Sequence, residues 1–381
     1  MKTVKRGVVG VMLAVAGLGC GTPGEGLSDG GAEADGGAAL DSGSACARVL
    51  PPEDMSACAP GANDYQPRDG VPGDDGWPAC ISDDGVFHPL GTGIPAASAR
   101  TLAFDSMAAK LWDNPAPPTA ADFLSARDDY SVAQGLASRV ARRQDVSYPE
   151  VPGGDKFACQ ADPSVPAQYP DRCAGPARLK PTIDAAFVSG ANGEKPRVQA
   201  ARIEAALLWF LHLSMTSEVW TCSFDKTSDC DAAAGYYAAE LTQTPATGFG
   251  RYVARTGPET HARIFDALLA VRCWRDADTA LPASRTDLYE AALEQLDRAS
   301  LRGIALAVAE RLEVARCAEG EAREAALQFV QVLGGFLVHA AESRDAATAA
   351  RWAAFAAAPD VSTESAVQAA QADLGALFSC P

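Results

Sequence analysis

A chain of 381 residues, 48% of them hydrophobic, is long enough for one large domain or two modest ones and apolar enough to bury a substantial core. Its formal charge of −17 argues against nucleic acid as a partner, because phosphate binding needs a basic face that this balance does not provide. The chain has only four histidines, at 88, 212, 261 and 339, and no GxSxG, CxxC, HExxH or Walker pattern, which narrows the room for nucleophilic and metal-dependent catalysis.

Residues 1–19 carry Lys2, Lys5 and Arg6, no acid, and the apolar run Gly7 to Leu18. That is the layout of a secretory signal peptide and is too short for a stop-transfer helix. The stretch Ala16-Gly17-Leu18-Gly19-Cys20 resembles a bacterial lipobox, in which cleavage before the cysteine is coupled to its diacylation; the usual Leu at −3 stands here at −2. Gly21 follows where an inner-membrane retention signal has Asp, so the resemblance implies an exported, outer-membrane lipoprotein held through Cys20. A plain signal peptide cut nearby is the alternative. Gly21 to Ala45 is rich in Gly, Ala and acid, which predicts a disordered tether, residues 20–45, reaching roughly 25–30 Å.

Residues 46–97 hold three cysteines among Pro, Gly and Asp, with turn signals at Arg68-Asp69-Gly70 and Asp74-Asp75-Gly76, and predict a loop-rich extension pinned by disulfides. The acidic clusters there lack the EF-hand spacing and its closing Glu. Setting Cys20 aside leaves ten cysteines, an even number that in an exported chain reads as disulfides. The spacing favours Cys222 with Cys230 and Cys159 with Cys173. Cys273 and Cys317, near the far ends of two successive helices, are expected to staple that hairpin, and the partner of Cys380 stays open.

From residue 98 to 381 the pattern is helical. Ala99 to Trp112 is Ala- and Leu-rich and stops at Asn114-Pro115; Thr119 reads as the N-cap of a second helix over 120–126, followed by Tyr130 to Asp145. Arg139, Arg142 and Arg143 make the one concentrated basic patch, either an anion site or a solvated face neutralised by Asp128, Asp129 and Asp145. Residues 146–180 read as a long ordered loop, and Ile183 to Ser189 as a short helix.

Arg197 to Trp220 is the most apolar helix of the chain. A helix apolar nearly all round belongs in the middle of a bundle, so Glu204, His212 and Glu218 are its residues to explain. Glu204 and Glu218 lie about 40° apart around the axis but roughly 21 Å apart along it, too far to share one small ion. Further helices are expected from Asp231 as N-cap through Leu241, then over 259–276, 286–317, 321–343 with a kink or close contact at Gly334-Gly335, 345–358 and 363–378; residues 242–257 read as a loop, and no strand pattern is found. The fold class expected is all-α, a disulfide-bonded helical bundle. Glu204-Ala-Ala-Leu recurs 120 residues later as Glu324-Ala-Ala-Leu, with paired aromatics following each, so residues 183–276 and 286–380 are either two pseudo-repeated bundles or a chance match between Ala-rich helices.

His339-Ala-Ala-Glu342 places an imidazole and a carboxylate on one helix face at i, i+3, a spacing that a metal in a helical bundle can use. Glu204, Glu218, His339 and Glu342 are thus the candidate metal ligands. The competing reading has His339 and Glu342 in an ordinary hydrogen bond and the buried glutamates paired with arginines such as Arg272 or Arg302.

The segments EAALLWF, DAAAGYYA and RIFDALLAVRCW, followed by a second Ala-rich aromatic helix, resemble the low-iron-inducible periplasmic proteins first known from algae, over roughly residues 98–380. They resemble more distantly the imelysin-type bundles, whose GxHxxE motif is half present: His339 and Glu342 match, while Leu337 stands where Gly is expected. These resemblances imply a periplasmic helical domain and iron as a candidate ligand. The functional expectation is a cell-envelope binding module for iron or another metal. Its alternatives are a metal-dependent peptidase built on His339 and Glu342, or a structural or adhesive surface protein without a small ligand.

Overall fold

A computed structural model describes residues 55, 57–68, 76–91, 94–132, 135–154, 157–240, 242 and 247–380. The expected signal segment, Cys20, the tether and Cys46 lie outside the described residues. Those described all belong to one compact unit, Ala38–Pro381. It is all-α: the helices are α1 (Ile94–Leu111), α2 (Ala120–Val132), α3 (Leu136–Val140), the short α4 (Ala158–Ala161) and α5 (Val165–Gln168), α6 (Lys180–Ala191), α7 (Pro196–Cys222), α8 (Ser228–Tyr237), α9 (Gly248–Thr256), α10 (Pro258–Ala277), α11 (Thr286–Cys317), α12 (Gly320–Glu342), α13 (Ala346–Ala357) and α14 (Glu364–Leu377), with no strand among the described residues.

α7 is the axis of the bundle. Of its 27 residues 22 are buried, so it has almost no solvent face. It packs on α6, α8 and α12, while α10 pairs with α11 and α11 with α12, which places α7, α11 and α12 around a common seam. α12 is long and apolar enough to cross a membrane by length and composition, and here it packs on α7, α11 and α13. Its Gly334 meets α13 closely: a Cβ at that position would lie 2.7 Å from Trp352, whose indole N–H donates to the Gly334 carbonyl at 3.0 Å. The two Glu-Ala-Ala-Leu helices are neighbours, but their glutamates differ. Glu204 is buried, whereas Glu324 is exposed and pairs with Lys195 at 2.6 Å.

Several boundaries differ from the sequence expectation for local reasons. α8 begins at Ser228 and ends at Tyr237, so Asp231 is not an N-cap. Its fully buried carboxylate instead accepts the Leu90 and Gly91 backbone N–H groups, at 2.8 and 2.6 Å, and pins the incoming segment to the bundle. The segment 242–257, expected to be a loop, contains α9. The segment 146–180 contains α4, α5 and a π-helical turn at Gly175–Leu179.

Four disulfides close the described structure: Cys159–Cys173, Cys222–Cys230, Cys80–Cys273 and Cys58–Cys380. The first two are the pairs expected from spacing. Cys273 does not pair with Cys317. The C-terminal part of α10 faces the 3-10 turn Ile81–Asp84 of the extension, which brings Cys80 rather than the end of α11 to Cys273; Cys317 is itself disulfide-bonded. Tyr65 reinforces this docking: its N–H donates to Gln295 Oε1 on α11 and its carbonyl accepts from Gln295 Nε2, both at 3.0 Å.

Candidate functional site

The four candidate metal ligands occupy three different settings. Glu204 is 1% exposed; its carboxylate accepts from Tyr252 Oη at 2.7 Å and from the Arg311 guanidinium, and Tyr252 in turn accepts from the Trp112 indole at 2.7 Å. Burial raises the Glu204 carboxyl above the usual range, and Arg311 and the Tyr252 hydrogen bond oppose that rise. Glu218 pairs with Arg143 at 3.1 Å. The arginine partners of the buried glutamates are therefore Arg311 and Arg143, not Arg272 or Arg302. Arg272 reaches the His88 carbonyl, and Arg302 the Phe378 carbonyl.

His339 and Glu342 are brought together, with Nδ1 and Oε2 3.9 Å apart, but on a partly exposed helix end. The His339 ring stacks on Tyr148 with centroids 3.6 Å apart. Among the described residues no three His, Cys, Asp or Glu side chains are grouped to hold a metal ion. As a donor set, Glu204, Glu218, His339 and Glu342 do not fit a single ion, since the two buried carboxylates already have guanidinium partners.

His339 instead lines a cleft of about 410 Å³ along the seam of α7, α11 and α12, closed at one side by residues 145–147. Each helix contributes one stripe: Trp209, His212 and Thr216 from α7, Glu290, Glu294 and Asp297 from α11, and Phe336, His339 and Ser343 from α12 and its end. These spacings of three and four residues put each set on a single helix face. Trp209 and Phe336 stack in parallel, 5.2 Å apart with an interplanar angle of 3°, and His212 lies 4.8 Å from Trp209. They form an aromatic shelf.

Charge surrounds the shelf. Asp145, Glu290, Glu294 and Asp297 line the cleft together with the guanidinium of Arg344, which approaches Asp297 at 3.6 Å, while Arg298, outside the lining, reaches Glu294 at 3.8 Å. Asp145 is buried and accepts from the Ser147 N–H at 3.0 Å and its hydroxyl at 2.5 Å. Burial raises its carboxyl, against the lowering effects of those bonds and of His339 and Arg172. Asp297 keeps 44% of its side chain open to the cleft, yet the enclosing protein still raises its carboxyl, with Arg344 opposing and the charge of Asp145 adding. The segment carrying Asp145 is held by Arg172, which donates to Gln144 Oε1 at 3.0 Å and to the carbonyls of Asp145 and Tyr148 at 3.2 and 2.9 Å. Burial alone pushes the His212 imidazole down to about 3, so that ring is neutral. Neither its Nδ1 nor the Trp209 indole nitrogen has a hydrogen-bond partner among the described residues.

The cleft can thus offer a small molecule an apolar wall, in which Trp209 is 3% exposed behind Phe336, and a negative rim, within the usual size range of such sites. A larger cavity of about 750 Å³ lies toward the N-terminal end of α7, where Glu204 pairs with Arg311 and Glu321 accepts from the Arg197 N–H at 2.7 Å. Of the cleft residues, His339 and His212 drew attention in the sequence, and Asp145 only as a neighbour of the basic patch. The acidic stripe Glu290, Glu294, Asp297 was legible at i, i+4, i+7, but nothing local aligns it with Trp209 and Phe336. Compared with family models, with curated proteins and with solved structures, the chain matches none.

Proposed function

We propose that this chain is an exported, lipid-anchored binding protein whose cleft between α7, α11 and α12 takes a small organic cation with an apolar or aromatic body. The observation that carries the reading is the stacked Trp209–Phe336 pair in a cleft whose lining has four carboxylates and one guanidinium, with Arg298 reaching Glu294 from outside it. Aromatic faces attract cations through the ring quadrupole. Carboxylates raised by desolvation regain their charged form most favourably beside a positive partner. The net charge of −17 adds a long-range field that draws cations toward the protein.

Export is supported by the signal-like residues 1–19 and by disulfides of the kind that persist in oxidising compartments. Anchoring through Cys20 rests on the lipobox resemblance, and a Cys20→Ser chain should lose membrane association while keeping its helical domain. The resemblance to low-iron-inducible periplasmic proteins supports the compartment; iron itself becomes an outcome of the binding test.

The test is isothermal titration of the full chain with phenyltrimethylammonium, a permanent aromatic cation, beside benzyl alcohol as a neutral aromatic and ferric citrate. The cation should bind, and Asp297→Asn and Trp209→Ala should each weaken it roughly tenfold or more. Equal affinity for benzyl alcohol, or cation binding indifferent to both substitutions, would refute the proposal. Stoichiometric iron lost in His339→Ala would install the metal reading in its place.

A further inference from the structure

The basic patch of the sequence occupies a separate pocket. Arg139 at the end of α3, with Arg142 and Arg143 just beyond, lines a cavity of about 300 Å³ against the C-terminal part of α7 and the start of α8. Arg143 is occupied: it pairs with Glu218 and lies over the rings of Phe210 and Tyr236. Arg139 and Arg142 are different. Among the described residues neither guanidinium makes an ion pair or hydrogen bond, although the Nε atoms of both are shielded from solvent. Among the described residues no ion pair joins Arg139 or Arg142 to Asp128, Asp129 or Asp145: Asp129 pairs with Lys110, and Asp145 faces the cleft. The acids of this pocket, Glu218, Asp225 and Asp229, stand on the α7–α8 side. Burial first, and then the like charges of Arg139, Arg143 and Arg100, hold the Arg142 guanidinium below its ordinary value.

Two unmatched guanidinium groups in a concave, partly desolvated site create a demand for an anion. What adjoins them defines the rest of the ligand. Through shared walls at Gln144, Phe157 and Trp220, the arginine pocket borders a second one of about 490 Å³, where Phe157, Trp220 and Phe224 stand with Val151, Glu150 and Arg172. Phe157 is 51% and Phe224 39% exposed, and Trp220 sits edge-on to Phe224 at 4.8 Å with the Arg172 guanidinium over its face at 5.5 Å. Exposed rings grouped around a pocket mark a surface that gains from an apolar occupant.

We infer that this double pocket binds an aromatic phosphomonoester, its phosphate between Arg139 and Arg142 and its ring against Phe157 and Trp220. The site is distinct from the cation cleft and does not depend on that reading. The Arg fork matches phosphate oxygens in pairs, and two guanidiniums balance a dianion. The aromatic half distinguishes an ester from free inorganic phosphate.

The experiment is calorimetric titration of the full chain with phenyl phosphate, inorganic phosphate and phenol. Phenyl phosphate should bind about tenfold more tightly than inorganic phosphate, and phenol far more weakly than either. Arg139→Gln with Arg142→Gln should weaken both phosphates at least tenfold. Phe157→Ala should bring phenyl phosphate down to the inorganic level. Phenyl phosphate affinity unchanged in the double variant, or phenol equal to phenyl phosphate, would overturn the assignment. If the double variant melts at a lower temperature than the parent, Arg142→Lys decides. Lysine keeps the charge but not the fork, so a partial loss is expected and no loss counts against the site.

Discussion

Burial, with no charged neighbour contributing, sets the ionisation of His212, and the consequence is measurable. The imidazole is held neutral down to about pH 3 in the folded chain, whereas in the unfolded chain it titrates at its ordinary value near 6.5. Between those values the unfolded state binds the extra proton. Stability from this residue is therefore complete above about pH 6.5 and is lost as pH falls below it, by up to about 1.4 kcal/mol per pH unit. Denaturant unfolding of the parent and of His212→Phe between pH 7 and pH 4 should show a shallower pH slope in the variant; parallel curves would mean the ring is not buried as described. The cleft carboxylates give a second residue-scale expectation. Because the Asp145 and Asp297 carboxyls are raised, phenyltrimethylammonium affinity should begin to fall at a pH above the ordinary aspartate range near 3.9 as the solution is acidified. Running the same titration in His339→Gln removes the imidazole from the profile. If the fall then begins only below pH 4, the carboxylates are not desolvated.

At the scale of the element, Gly334 and Gly335 are adjacent in sequence and opposite in meaning. A Cβ on Gly334 would press on Trp352 of α13 at 2.7 Å, while one on Gly335 would meet nothing within 4 Å. Gly334→Ala should destabilise by about 1–3 kcal/mol through overpacking, and Gly335→Ala should stabilise by up to about 1 kcal/mol through helix propensity. Thermal unfolding of the two single variants reads both signs, and equal shifts would show that α12 and α13 do not meet at Gly334. The sequence marked the pair as a kink or a close contact, and could not tell which glycine carried it. α9 was hidden for a related reason. Gly248 and Gly250 read as loop residues, yet Gly248 has a φ of +59° and a Cβ there would lie 2.3 Å from Thr101. The glycine serves a close approach to α1, after which Phe249, Tyr252 and Val253 turn into the core.

For the whole molecule, two long-range disulfides make the extension part of the domain. Cys80–Cys273 spans 193 residues and Cys58–Cys380 spans 322, so both close large loops of the unfolded chain. Replacing Cys80 and Cys273 by serine should cost roughly 2–5 kcal/mol and expose residues 76–91 to limited proteolysis. An unchanged melting temperature and cleavage pattern would show that the hydrogen bonds of Asp231 to Leu90 and Gly91 and of Arg272 to His88 suffice to hold that segment.

The helical class, the buried character of α7, the span of α11 and the two short-loop disulfides were legible in the sequence, because each is set by interactions within a few tens of residues. Periodicity identified which face of a helix is apolar. Only the tertiary structure decided which faces meet. The same Glu204 could have paired with any nearby arginine or held a metal until packing placed Arg311 and Tyr252 against it. Likewise, Trp209, Asp297 and Phe336 became one cleft, and Cys80 reached Cys273, only once α7, α10, α11 and α12 were in place. Complementarity between surfaces distant in sequence carries no local signature, so the candidate sites emerge from the packing of the bundle.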